Sequence, residues 1–268
     1  MALPREDCLD SFKAKLKEGG VVVGFQHNSG SHVVIEAAGY CGVDFVLIDM
    51  EHTAYTTSEV EGLVRTCELA GIVPFVRVPE LDPHLISRVL DSGAMGILVP
   101  HIMNADDCAR MLAAAQYQPV GTRGKSAMCR ASRWGLQPWG AYAEWAKTGP
   151  VMVPIIEDAS AVEHLDAILA TPGLEVYAIG AGDLSQSFGE PTLGVRSPRV
   201  QEALRRSIEL ARQRGLHAMT LPAPDLSVEL VNELVGIGVQ VIWFGSDISF
   251  LSSALRSAIT QVERTIPS

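Results

Sequence analysis

Apolar residues along the 268-residue chain arrive in two alternating rhythms. Short continuous runs rich in Val and Ile alternate with stretches in which apolar positions recur every three or four residues. The first rhythm is that of a strand covered on both faces, the second that of an amphipathic helix. The runs predict strands at Val21 to His27, Asp44 to Met50, Val73 to Val78, Gly96 to Pro100, Val151 to Glu157, Val176 to Gly180, His217 to Leu221 and Val239 to Gly245. Between them lie helices with readable ends. Thr56 and Glu59 form a capping box before Val60, Leu63, Val64 and Cys67, and Gly71 closes that helix. Asp82-Pro83 opens the next, and Asn104 caps a further one ahead of Asp106 and Asp107. A short charged helix covers about Cys8 to Lys17, and a last helix runs from Phe250 to Val262. Asn-Gly hairpin signals between strands are absent. This alternation predicts one (β/α)8 TIM barrel spanning 1–268 as a single domain, although a doubly wound open sheet shares the pattern. The rhythm breaks once, between Gln118 and Gly149, where Gly, Arg and Trp accumulate in place of a short connection. A loop of that length is expected to be functional or to pack on a partner.

The strand pattern also locates chemistry. The run Phe45 to Ile48 is a buried strand, and Asp49, Glu51 and His52 leave its carboxyl end, the edge at which α/β folds bind ligands. The other strand ends add Gln26, His27 and Asn28, then Arg77, His101, and Glu157 with Asp158. Asp183 follows in a GAGDLS turn, whose glycines, Gly182 among them, let the backbone approach a ligand. Glu157 and Asp183 come from adjacent strands and repel unless a proton or a hard cation intervenes, which points to magnesium or manganese held by oxygen ligands. Arg77 offers a fixed planar cation to a carboxylate or a developing enolate oxygen. His52 is the natural proton carrier. Asp158 also suits a plain helix cap, and His27 and His101 suit structural roles.

Composition narrows the class. Hydrophobic residues make up 47% and charged residues 19% of the chain, and the formal charge is -10, which argues against a nucleic-acid or acidic-membrane surface. No apolar run approaches the roughly 18 residues of a membrane span, and MALPREDCLD lacks a signal-peptide core. A cytoplasmic location is expected. Cys8, Cys41, Cys67, Cys108 and Cys129 are scattered and suggest neither a disulfide framework nor a metal knuckle.

Taken in order, IDMEH (48–52), FVRVPELDP (75–83), LVPHIMNADD (98–107), GTRGKSAMCRASRW (121–134), IIE (155–157) and IGAGDLS (179–185) resemble the HpcH/HpaI class II pyruvate aldolases over nearly the whole chain. The resemblance implies a (β/α)8 barrel whose last helix is exchanged between neighbours in a hexamer, a trimer of dimers. The implied reaction is metal-dependent cleavage of a 4-hydroxy-2-oxo acid to pyruvate and an aldehyde, without a Schiff-base lysine. By position Glu157 and Asp183 match the ligands of a divalent metal (Mg2+ or Mn2+, with Co2+ or Zn2+ as substitutes), and Arg77 matches the arginine on the enolate oxygen. His52 matches the base, paired with the residue matched by Asp91 from an adjacent subunit, and Asp49 and Glu51 match supporting acids. Three positions depart from the family: Ile155 stands where a substrate-contacting Gln is common, Gln26 where a Trp is common, and Lys125 where an apolar residue follows the GxRG turn. A more polar, more basic aldehyde pocket follows, with Gln26, Lys125 and Gly182 beside the substrate and a preference for anionic aldehydes. Two other readings use the same residues: a decarboxylase or other carbon–carbon lyase acting on a 2-oxo acid, and a binding protein that keeps the site without turnover.

Overall fold

In the computed structural model the residues described are 5–223 and 225–262. Eight parallel strands close into a barrel in sequence order. They are β1 (Val22–His27), β2 (Phe45–Asp49), β3 (Val73–Arg77), β4 (Gly96–Val99), β5 (Val151–Ile156), β6 (Val176–Ile179), β7 (His217–Thr220) and β8 (Val239–Ser246). The open-sheet alternative is excluded because β8 pairs back onto β1, Val22 opposite Val241 and Gly24 opposite Trp243. Pleating sorts the strand residues into two cores. Val22, Phe45, Leu47, Phe75, Val153, Ile155, Met219, Val241 and Trp243 fill the inside of the barrel. Phe25, Val46, Ile48, Val76, Ile97, Ile156 and Ile242 face the helices. The first helix, α1 (Arg5–Lys17), closes the floor with Leu9, Phe12 and Leu16, and Phe12 meets Phe45 and Phe75 edge-on.

The outer ring contains α2 (His32–Cys41), α3 (Thr57–Ala70), α4 (Pro83–Asp91) and α5 (Ala105–Ala115). The caps expected for α3, α4 and α5 are present: Thr56 and Glu59 bond reciprocally, Asp82 accepts from the His84 N–H, and Asn104 accepts from the Asp107 N–H. The segment after α5 has more structure than a loop. A 3-10 turn at Arg133–Gly135 and α6 (Trp139–Trp145) lie within it, because Tyr117, Trp139, Tyr142 and Trp145 pack as an aromatic cluster. There follow α7 (Ala159–Glu163) and α8 (Leu165–Leu169) after β5, α9 (Ala181–Ser187) and α10 (Pro198–Arg212) after β6, and α11 (Val228–Ile237) before β8.

The last helix, α12 (Asp247–Thr260), begins three residues earlier than its sequence rhythm suggested, because Ser246 and Ser249 form a capping box. Beyond Asp247 it buries nothing: Ile248, Leu251, Leu255 and Ile259 are each about half exposed along one stripe. Beside its root lies an apolar groove of about 320 Å³, lined by Phe25, Val34, Ala38, Val43, Phe250 and Leu251. All five cysteines are free thiols. Among the described residues no helix is long and apolar enough to cross a membrane.

Candidate active site

The site forms at the carboxyl edge of the barrel, around Arg77. As the last residue of β3, Arg77 is aligned with Asp49, the last residue of β2, and its guanidinium is buried. Its Nε donates to Asp49 Oδ1 and its Nη2 to Asp49 Oδ2, both at 2.8 Å. Its Nη1 stands 3.1 Å from Glu51 Oε2. Asp49 also accepts from Gln26 Nε2 at 2.8 Å and from the Glu51 N–H at 3.1 Å. Both oxygens of Asp49 are therefore doubly engaged, and a carboxylate with four donors on it has no lone pair left for a substrate proton. Asp49, expected among the catalytic acids, serves here to hold Arg77. Gln26, expected to touch substrate, spends its amide nitrogen on the same carboxylate.

Glu51 bridges Arg77 to His52, whose Nε2 lies 3.6 Å from Glu51 Oε2 and whose ring is well exposed. Across the mouth Glu157 follows β5 and is buried at 3% exposure. Burial, with the nearby charges of Asp183 and Glu51, pushes its pKa up to about 7 against the opposing pull of the His101 N–H. That N–H reaches Glu157 Oε1 at 2.9 Å. Asp183 is exposed at the rim. The glycine that matters beside it is Gly180, since a Cβ there would stand 2.4 Å from Glu157 Oε2, whereas Gly182 has open space around it. GAGDLS is also less of a turn than expected: Gly180 caps α9 and Asp183 lies in its first helical turn. Ile155 lies buried below Gly180, giving the site an apolar floor at the position where the family resemblance leads one to expect an amide.

Asp158 occupies the N-cap position of α7, yet its side chain does not cap; it binds His101 Nδ1 at 2.9 Å instead. That hydrogen bond raises the pKa of His101, which is one of three non-glycine residues with positive φ among the described residues. His27 was read as a strand-end candidate for the site, but it points outward, fully buried, with Nδ1 2.9 Å from Asp247 Oδ2 and its ring stacked on Tyr55. Asp91 and Lys125 do not meet the others within one chain. Asp91 ends α4, on the edge where strands begin, and receives Arg123 Nη2 at 2.6 Å. Lys125 is exposed in the segment leading to β5, with Nζ 4.9 Å above the Trp139 ring. Glu157 and Asp183 are the residues that could hold a cation. Among the described residues no group of three or more His, Cys, Asp or Glu side chains is arranged to do so.

A profile of the family described as HpcH/HpaI aldolase/citrate lyase matches residues 23–254. A 4-hydroxy-2-oxovalerate aldolase of Rhodococcus jostii is 33% identical, over 95% of this chain and 97% of its own. A hydroxypyruvate/pyruvate aldolase of Paraburkholderia phytofirmans is 30% identical, over 93% and 96%. A crystal structure of an HpcH/HpaI aldolase/citrate lyase family protein from Burkholderia cenocepacia superposes with a TM-score of 0.86 at 28% identity, covering 94% of this chain and 98% of that one.

Proposed function

Because the chain belongs to the HpcH/HpaI aldolase/citrate lyase family, we propose that it cleaves a 4-hydroxy-2-oxo acid to pyruvate and an aldehyde, and runs the reverse condensation. The observation that carries this reading is a guanidinium fixed on one wall of the mouth, facing two carboxylates on the other. Asp49 takes the Nε–Nη2 edge of Arg77 and Glu51 lies beside Nη1, so the second N–H groups of Nη1 and Nη2 are left to a substrate oxygen that gains charge as the C3–C4 bond breaks. His52 takes the proton of the C4 hydroxyl; the C4 oxygen becomes the aldehyde carbonyl, and the bonding pair of C3–C4 moves into the enolate of pyruvate. The same imidazole returns the proton to C3. Glu157 and Asp183 would hold a divalent cation, Mg2+ or Mn2+ before Co2+ or Zn2+, which when bound supplies Lewis-acid withdrawal of electrons from the 2-oxo group. Gly180 keeps the approach to Glu157 clear, and Ile155 keeps water from beneath it.

Assembly belongs to the same reading. The half-exposed stripe of α12 and the empty groove at its root support exchange of this helix with a second copy, within the hexamer built from dimers. In such an assembly the partner subunit's Asp91 pairs with His52, and Lys125 comes within reach of the aldehyde. The test is pyruvate release from 4-hydroxy-2-oxo acids, and the reverse condensation across a panel of neutral and anionic aldehydes, with Mg2+ or Mn2+ present. Metal-stimulated turnover of at least one pair is expected; loss of CO2 from a 2-oxo acid without aldol turnover would overturn the reading.

A further inference from the structure

Arg77 is held within its own plane and needs something to hold it out of plane. Asp49 grips Nε and Nη2 in the plane of the guanidinium, and Glu51 Oε2 stands 3.1 Å from Nη1. In-plane contacts fix which edge faces the mouth, but they resist tipping weakly. The wall that resists tipping is Trp243. It sits on the inner face of β8, across the barrel from β3, and its ring centroid lies 5.1 Å from Arg77 Cζ. An indole offers a guanidinium the largest and most electron-rich face among the side chains. The position also carries a cost that a plain core residue would avoid: Trp243 is 5% exposed, and its Nε1–H is buried without an acceptor. A phenyl ring there would leave no donor unmade.

We propose that Trp243 is a positioning residue of this site, setting the tilt of Arg77 so that its free N–H groups meet the oxygens of the bound 2-oxo acid. The inference rests on the reading of Arg77 as the oxo-acid anchor. It concerns the nucleophilic half of the reaction alone, since Trp243 meets Arg77 from inside the barrel and the aldehyde enters from the mouth.

Sodium pyruvate titrated into the full-length protein in excess Mg2+, followed by intrinsic tryptophan emission and by calorimetry, tests this. Trp134, Trp139 and Trp145, in the segment between α5 and β5, are all kept in Trp243→Phe, so the part of the emission change that this variant loses belongs to Trp243. Pyruvate should alter the emission of the parent and leave that of Trp243→Phe unchanged. By calorimetry, Trp243→Leu should bind pyruvate roughly three- to thirty-fold more weakly, the range of one cation–π contact, while Trp243→Phe retains most of the affinity. Pyruvate binding that depends on Arg77, as judged by Arg77→Lys, but is unchanged in Trp243→Leu would overturn the proposal alone. Binding indifferent to Arg77→Lys would overturn the anchor reading and the proposal with it. If Trp243→Leu does not fold, the emission arm decides: a parent emission unmoved by bound pyruvate contradicts the contact.

Discussion

At the scale of the residue, the site turns on what Asp49 is free to do. An acid at a strand end reads as one of the catalytic set supporting His52, and only the distances show its oxygens filled by Arg77, Gln26 and the Glu51 N–H. Removing one partner of a buried, bidentate ion pair leaves the other charge uncompensated, at about 3–5 kcal/mol. Asp49→Asn keeps the shape and loses the charge, so kcat/KM should fall on the order of a hundredfold, with KM for the oxo acid carrying part of it. Arg77→Lys should do comparable damage, because an ammonium cannot reproduce the two parallel bonds. Steady-state kinetics at saturating metal check both, and parent-like values for either would make the pair merely structural. The identities of Arg77, Glu157 and Asp183 as strand-end groups were legible in the sequence. The saturation of Asp49 was not, because it depends on partners from β1, from β3 and from the loop after β2. Trp243 was invisible for a different reason: inside the run VIWFG an indole looks like any core residue.

At the scale of the element, the root of α12 is tied down by Asp247. Its carboxylate accepts from the N–H groups of Asn28 and Ser29 and the Ser29 hydroxyl, and lies against His27. Burial alone would raise its pKa, but the contacts with His27, Ser29 and Asn28 outweigh burial and hold it well below the usual carboxylate range. A depressed folded value means that Asp247 stabilises the fold above its unfolded value of about 4, and that this contribution is lost as pH falls below it. Asp247→Ala should therefore lower thermal stability at pH 7 by the equivalent of about 3 kcal/mol, and the gap from the parent should narrow under acid. Calorimetric melts at pH 7 and pH 3 decide this; a gap that is constant with pH would mean that the carboxylate's charge is not what matters. Further along the helix, Leu255→Glu with Ile259→Glu places charge on the apolar stripe. The pair should shift the protein to smaller species in sedimentation velocity without unfolding the barrel, whereas an unchanged oligomer would remove the exchanged-helix reading. The helical rhythm of this segment could be read from sequence. Its exposure could not, because the same stripe suits a helix packed on its own barrel.

At the scale of the whole molecule, alternating strand and helix patterns sufficed for the barrel, since a closed parallel sheet is the economical way to bury so many two-faced strands. The ordered segment between α5 and β5 was harder, because its stability comes from ring contacts between Tyr117, Trp139, Tyr142 and Trp145 with no strand or helix period to announce them. The central claim is that this barrel generates the enolate of pyruvate at Arg77 with help from a cation at Glu157 and Asp183. Proton NMR of pyruvate in D2O measures that step without any need to know the aldehyde. The methyl signal should decay in the presence of protein and Mg2+ or Mn2+, should persist when a chelator removes the metal, and should persist in Glu157→Gln even with metal added. Exchange that continues undiminished under chelation would contradict the role of the two carboxylates, and tight pyruvate binding with no exchange under any condition would contradict the account as a whole.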